Sequence, residues 1–123
     1  MIDPQKLCQI EITSSDLERS LAFYEGVFGW KKAPADLHNY IVLSVPSDCP
    51  YGISLVPGIP STKGRGIVLY YGLENPEEII DRVEDNGGKI LMGPQRLPGY
   101  GMIYQFKDPD GNVFGIFSQK KKN

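Results

Sequence analysis

The stretch SSDLERSLAFYEGVFGW, residues 14–30, decides the fold once it is set beside LENPEEIIDRVEDNGGKIL, residues 73–91. In the first, Ser15 followed by Glu18 reads as a capping box. Leu17, Leu21, Tyr24 and Phe28 then recur at steps of 4, 3 and 4 along one helical stripe until Gly29 stops it. A helix over about 16–28 follows. In the second, Asn75 stands as N-cap with Pro76 at the first helical position, Ile79, Ile80 and Val83 form the stripe, and Asn86-Gly87-Gly88 ends it. Ser15 to Asn75 is a step of 60 and Gly29 to Gly88 a step of 59, so one design occurs twice.

Strands flank both helices. Residues 7–12 alternate, with Cys8, Ile10 and Ile12 on one face and Leu7, Gln9 and Glu11 on the other, as a half-buried strand requires. After the first helix, residues 30–35 are assigned to a second strand by position, with Pro34 restricting it to an edge, and residues 40–45 and 52–56 supply the third and fourth. The Pro- and Gly-rich stretch 57–65 is a connector, and the order then repeats: strand 67–73, the second helix, and strands 89–92, 102–106 and 113–117. Asp108-Pro109-Asp110-Gly111-Asn112 joins the last two as a tight hairpin turn; a calcium loop would need a later acidic ligand that is missing.

The expected fold is α+β, built from two βαβββ modules within one domain of residues 1–123: module one about 6–57, connector 57–65, module two about 66–119. One helix covers only one sheet face, so the two modules are expected to pair, curling a mixed sheet around a shared hollow with the helices outside.

Composition narrows the function classes. The chain has 123 residues, 41% of them apolar, with 13 Lys plus Arg against 15 Asp plus Glu. That balance leaves no electrostatic footprint for nucleic acid, and the terminal Lys120, Lys121 and Lys122 read as a solvated tail. No apolar run approaches the ~20 residues of a membrane span, and the N-terminus lacks a basic stretch followed by an apolar core, so the expectation is a cytoplasmic protein. Cys8 and Cys49 are read as free thiols, and His38, the sole histidine, lies in a polar turn ill-suited to a zinc triad or a Cys-His dyad. Lys63-Gly64-Arg65 in the connector reads as a solvated loop able to reach over the hollow as a lid.

Together with LPGYGMIYQFKDPDGNVFGIF, residues 97–117, the two helical stretches resemble the vicinal oxygen chelate superfamily of glyoxalase I, bleomycin resistance proteins and extradiol dioxygenases, in its glyoxalase-like single-domain form. The resemblance covers nearly the whole chain and implies a cup made from two βαβββ units. In the metal enzymes of the superfamily it implies ligands on four strands, with His or Gln first, then Glu, His and Glu. Those positions fall here on Gln9, Ser54, Val68 and Gly115. Only Gln9 is a plausible ligand, and one neutral amide does not replace a set of imidazoles and carboxylates, so neither metal nor cofactor is expected.

Same-face counting sends Gln9 and Glu11, then Ser54, then Tyr70, then Phe117 toward the hollow; Tyr40, Val42, Met102 and Tyr104 join them if those parities face inward. The candidate ligand-binding set is therefore Gln9, Glu11, Ser54, Tyr70, Met102, Tyr104 and Phe117. Glu11 is the sharpest of these, since an inward carboxylate must be paired or wet.

The first expectation is a metal-independent binding protein of the glyoxalase and bleomycin-resistance kind, holding a small amphipathic molecule. The alternative is a divalent-metal lyase, isomerase or dioxygenase using Gln9, Glu11 and a ligand from a partner chain; as an enzyme it would be a glyoxalase-like lyase. A ligand-free structural or regulatory subunit is the third reading and predicts a hollow filled by Tyr70 and Phe117. A homodimer is expected, either with both modules of a chain closing one cup or with modules exchanged through 57–65.

Overall fold

Strand β1 (Leu7–Ser14) leads into helix α1 (Leu17–Phe28) through a cap that differs from the predicted one. Asp16, not Ser15, accepts the Arg19 backbone N–H at 3.1 Å, and the buried Ser14 hydroxyl accepts the Asp16 N–H at 3.1 Å. The Ser15 hydroxyl instead accepts from the Arg19 guanidinium at 3.2 Å. The Asx cap suits the next three residues because Asp16 is extended, at φ −150° and ψ 98°. At the other end Gly29 takes φ 74°, and the stripe closes as read from the sequence.

The coordinates are a computed structural model that describes residues 1–35, 39–59 and 66–119. His38, residues 60–65 of the connector, with Lys63-Gly64-Arg65 among them, and Lys120 to Lys122 lie outside the described residues. After α1 the elements are β2 (Ile41–Leu43), β3 (Gly52–Pro57), β4 (Ile67–Gly72), α2 (Glu77–Asp85), β5 (Lys89–Leu97), β6 (Gly101–Lys107) and β7 (Val113–Ser118). Seven mixed strands and two helices make an α+β fold. Neither helix is long and apolar enough to cross a membrane.

The chain divides into two compact units. The first is Gln9–Val68, and the second combines Met1–Cys8 with the chain from Leu69 onward. In the first, β3 lies between β1, parallel to it, and β2, antiparallel to it. The strand expected over 30–35 contracts to a bridge between Lys32 and Leu43. The Ala33 N–H reaches the Val42 carbonyl at 2.8 Å, and Pro34, with no N–H to give, ends the pairing there. Ile41, Leu43, Ile53 and Leu55 form the core, with Leu17, Leu21 and Tyr24 of α1 packed on it. Phe28, at the end of the same stripe, stays 51% exposed and joins Tyr24 and Trp30 in an aromatic cluster instead.

In the second unit the order is β4, β7, β6, β5, with only the β4–β7 pair parallel. Ile79, Tyr104 and Ile116 form its core, with Ile80 and Val83 of α2 against it. Strand β5 runs five residues beyond the predicted 89–92, through Gly93 and Pro94, because register shifts between Ile90 and Met92 and between Met92 and Gln95 leave the proline clear of the ladder.

The repeat read from the sequence is visible as register. In the first unit Ile10, Glu11 and Ile12 pair with Ile53, Ser54 and Leu55; in the second Leu69, Tyr70 and Tyr71 pair with Phe114, Gly115 and Ile116. The antiparallel neighbours extend the match, since Val42 faces Ser54 as Gln105 faces Gly115.

Candidate functional site

Each unit has one sheet face covered by its helix and an opposite face on which the candidate residues stand. On the first unit the second face carries Gln9 and Glu11 from β1, Ser54 from β3 and Val42 from β2. Ser54 is 5% exposed, whereas Gln9 and Glu11 are half-buried. The Gln9 amide donates through Nε2 to the Ser54 hydroxyl at 3.0 Å. Its Oε1 lies over Gly52, only 2.6 Å from where a Cβ on that residue would stand. Beside them, burial and then the charge of Glu11 push the Tyr40 phenol above its usual 10.0. The face therefore offers an acidic acceptor, a phenol and an amide-hydroxyl pair, all on rigid strands except Tyr40.

The equivalent face of the second unit is chemically different. Tyr70, in the register position of Glu11, is 2% exposed, and its ring lies against Gly115, taking up the volume any side chain there would need. Its hydroxyl accepts from Gln105 Nε2 at 2.7 Å. Phe117 stands two residues further along this face, half-buried. Met102 and Tyr104 do not join them: they lie on the α2 face, where Tyr104, 5% exposed, packs with Ile79 and Ile116. The parity of β6 left open by the sequence is thereby settled, and Gln105 and Ile103 take the places on the face opposite α2. Burial, with Glu77 adding to it, raises the Tyr104 phenol above 10.0. The sequence-derived set thus divides into Gln9, Glu11 and Ser54 on one face, Tyr70 and Phe117 on another, and two core residues. Gln105 was missed, although the cue was present: it alternates with Tyr104 and Phe106, whose apolar bulk suits the helix side.

Both thiols donate to backbone carbonyls. Cys8 Sγ donates to the Tyr70 carbonyl at 3.5 Å and is pushed up by burial; Cys49 Sγ donates to the Tyr51 carbonyl at 3.2 Å. Asp108 is consumed by its turn. The Asn112 side chain, ahead of the backbone N–H groups, holds its carboxyl below the usual range.

Residues 6–116 match the Glyoxalase/Bleomycin resistance protein/Dioxygenase superfamily. The chain belongs to that superfamily. It is 29% identical to a glyoxylase-like domain-containing protein of Didymella fabae, with 92% of this chain and 93% of that one aligned. It is 33% identical to a lactoylglutathione lyase of Oryza sativa subsp. japonica over 88% of the chain, but spans only 42% of that enzyme. The crystal structure of methylmalonyl-CoA epimerase from Mycobacterium tuberculosis shares the fold at a TM-score of 0.65, with 15% identity over 98% of this chain and 94% of that one.

Superfamily membership raises the question of a metal, which the donor set answers. At the four positions that the resemblance assigns to ligands, Gln9 offers one neutral amide oxygen, Ser54 a hydroxyl that accepts from the Gln9 Nε2, Val68 is a buried hydrocarbon, and Gly115 has no side chain and a tyrosine ring against it. Among the described residues no three His, Cys, Asp or Glu side chains come together in a group able to hold a metal ion. These residues do not fit a divalent cation.

Proposed function

We propose that the chain is a metal-independent binding protein of the superfamily, holding a small amphipathic molecule against the Gln9, Glu11 and Ser54 face of its first unit. The carrying observation is the donor set itself: of the four ligand positions only Gln9 carries an amide oxygen, beside a serine, a buried valine and a glycine covered by a tyrosine ring. An ionised Glu11 accepts hydrogen bonds, and a ligand whose polar end is a donor, an amine or a hydroxyl, suits the face that carries it. The apolar remainder lies against Val42 and Val56, which share that face. The working form is a cytoplasmic homodimer, with modules about 6–57 and 66–119 in one domain; sedimentation at micromolar concentration checks the assembly, and a sole 13.7 kDa species would refute it.

The 33% identity to the rice lactoylglutathione lyase supports a second reading, a lyase acting on a hemithioacetal. One experiment separates the two. The purified protein is assayed for bound metal by mass spectrometry and for turnover of the methylglyoxal–glutathione hemithioacetal with added Ni²⁺ or Zn²⁺. Metal well below one equivalent and no turnover are expected; stoichiometric metal with turnover would overturn the binding-protein reading.

A further inference from the structure

We propose that the second unit's face above Gly115 is a binding site for a phenol-sized aromatic, and that the chain fills it with its own Tyr70, which thereby acts as a specificity residue denying the site to outside ligands. The two units place equivalent residues in equivalent register, so the chain has two candidate faces of one design. On the first, the position holds Glu11, a half-buried carboxylate; on the second it holds Tyr70 at 2% exposure. What surrounds the Tyr70 ring has the make-up of a small aromatic site. Gly115 supplies a bare backbone floor against which a ring can lie, since a Cβ there would clash with the ring atoms. Gln105 supplies a directed donor to the hydroxyl at 2.7 Å. Val42 and Ser54, at the places equivalent to Gln105 and Gly115 in the first unit, provide neither a bare backbone floor nor a side-chain amide. A half-buried donor aimed at a hydroxyl discriminates phenol from benzene, because benzene gives the amide no acceptor.

The inference stands apart from the reading of the first unit, and its failure would leave the metal and hemithioacetal assays unaffected. The test is Tyr70→Ala, which removes a fragment the size of phenol. The variant should melt about 10 °C below the parent, and millimolar phenol should recover part of that loss. Phenol should also shift the Gln105 side-chain amide resonances of the variant saturably, while wild type shows no saturable shift there. Benzene should bind about five-fold more weakly than phenol, the worth of one hydrogen bond of about 1 kcal/mol. Equal shifts in wild type and variant, no binding of phenol, or equal affinity for benzene and phenol would each overturn the proposal. Should the alanine variant not fold alone, Tyr70→Val, whose β-branched side chain suits a strand, carries the same titration. Recovery of folded protein only when phenol is present would also support the site.

Discussion

In the first unit a glutamine lies over a glycine; in the second a tyrosine does. Gln9 covers Gly52 and reaches Ser54, while Tyr70 covers Gly115 and reaches Gln105. The helix-side positions of the same strands are apolar in both units, Ile10 and Ile12 against Leu69 and Tyr71, and Ile53 and Leu55 against Phe114 and Ile116. Packing against a helix fixes the chemistry of one face, and the other face is free to diverge into a polar site or a closed one.

The largest expected effect tests the shared half of that comparison. Leu55 and Ile116 occupy equivalent register positions and are both 0% exposed. Leu55→Ala and Ile116→Ala should each cost about 3 kcal/mol in urea unfolding, the usual size for emptying a packed aliphatic site. A loss under about 1 kcal/mol in one and not the other would break the claim that the two cores are equivalent.

Next comes the difference between the glycines. Ala at Gly115 drives a methyl into an aromatic ring held at both ends, so Gly115→Ala should cost about 2 kcal/mol. Ala at Gly52 meets only Oε1 of a half-buried amide 2.6 Å away, which can swing aside, and Gly52→Ala should cost well under about 1 kcal/mol. Equal costs would mean that Gln9 is as firmly held as Tyr70.

The hydrogen bonds follow at a smaller scale. Tyr70→Phe leaves the Gln105 amide without its buried acceptor and should cost about 1 kcal/mol in urea unfolding. Ser54→Ala should cost a similar amount, since Gln9 and Gln105 are both half-buried amides that lose a buried acceptor.

The asymmetry between the faces also explains what the sequence disclosed. Alternation in residues 7–12 and the two helical stripes were legible because burial against a helix imposes periods of 2 and 3.6 on residue type, whereas the N-caps were misplaced: Asp16 rather than Ser15 caps α1, and α2 starts from Pro76 with no side-chain cap from Asn75. The absence of ligand chemistry at Ser54, Val68 and Gly115 was legible for the same reason, as it needs only residue identity. The parity of β6 was not, because Met102, Ile103, Tyr104 and Phe106 are apolar on both sides and Gln105 alone marks the alternation. The short bridge at Lys32 was overestimated as a strand since the effect of Pro34 depends on where its missing N–H would have pointed. The Tyr70–Gln105 contact joins residues 35 apart in sequence and is set by register between β4, β7 and β6, which no local pattern encodes.

The smallest effect isolates the polar face itself. Tyr40 and Tyr104 are both raised above 10.0, chiefly by burial, but the secondary cause differs: Glu11 in the first unit, Glu77 in the second. A phenol whose folded pKa is raised holds its proton more tightly in the folded state. Its contribution to stability is therefore whole below pH about 10 and falls as pH climbs from the unfolded value through the raised one. Glu11→Gln removes the neighbouring charge and leaves the burial, so Tyr40 should ionise at a lower pH than in the parent while remaining above its usual value. Tyr104, answering to Glu77, should not move. Absorbance at the phenolate band, read as the difference between each protein and its Tyr40→Phe counterpart, follows Tyr40 alone. An unchanged Tyr40 titration in Glu11→Gln would show that the carboxylate faces away from the phenol. The two would then not form one polar face, and the first unit would lose the feature that most separates it from the second.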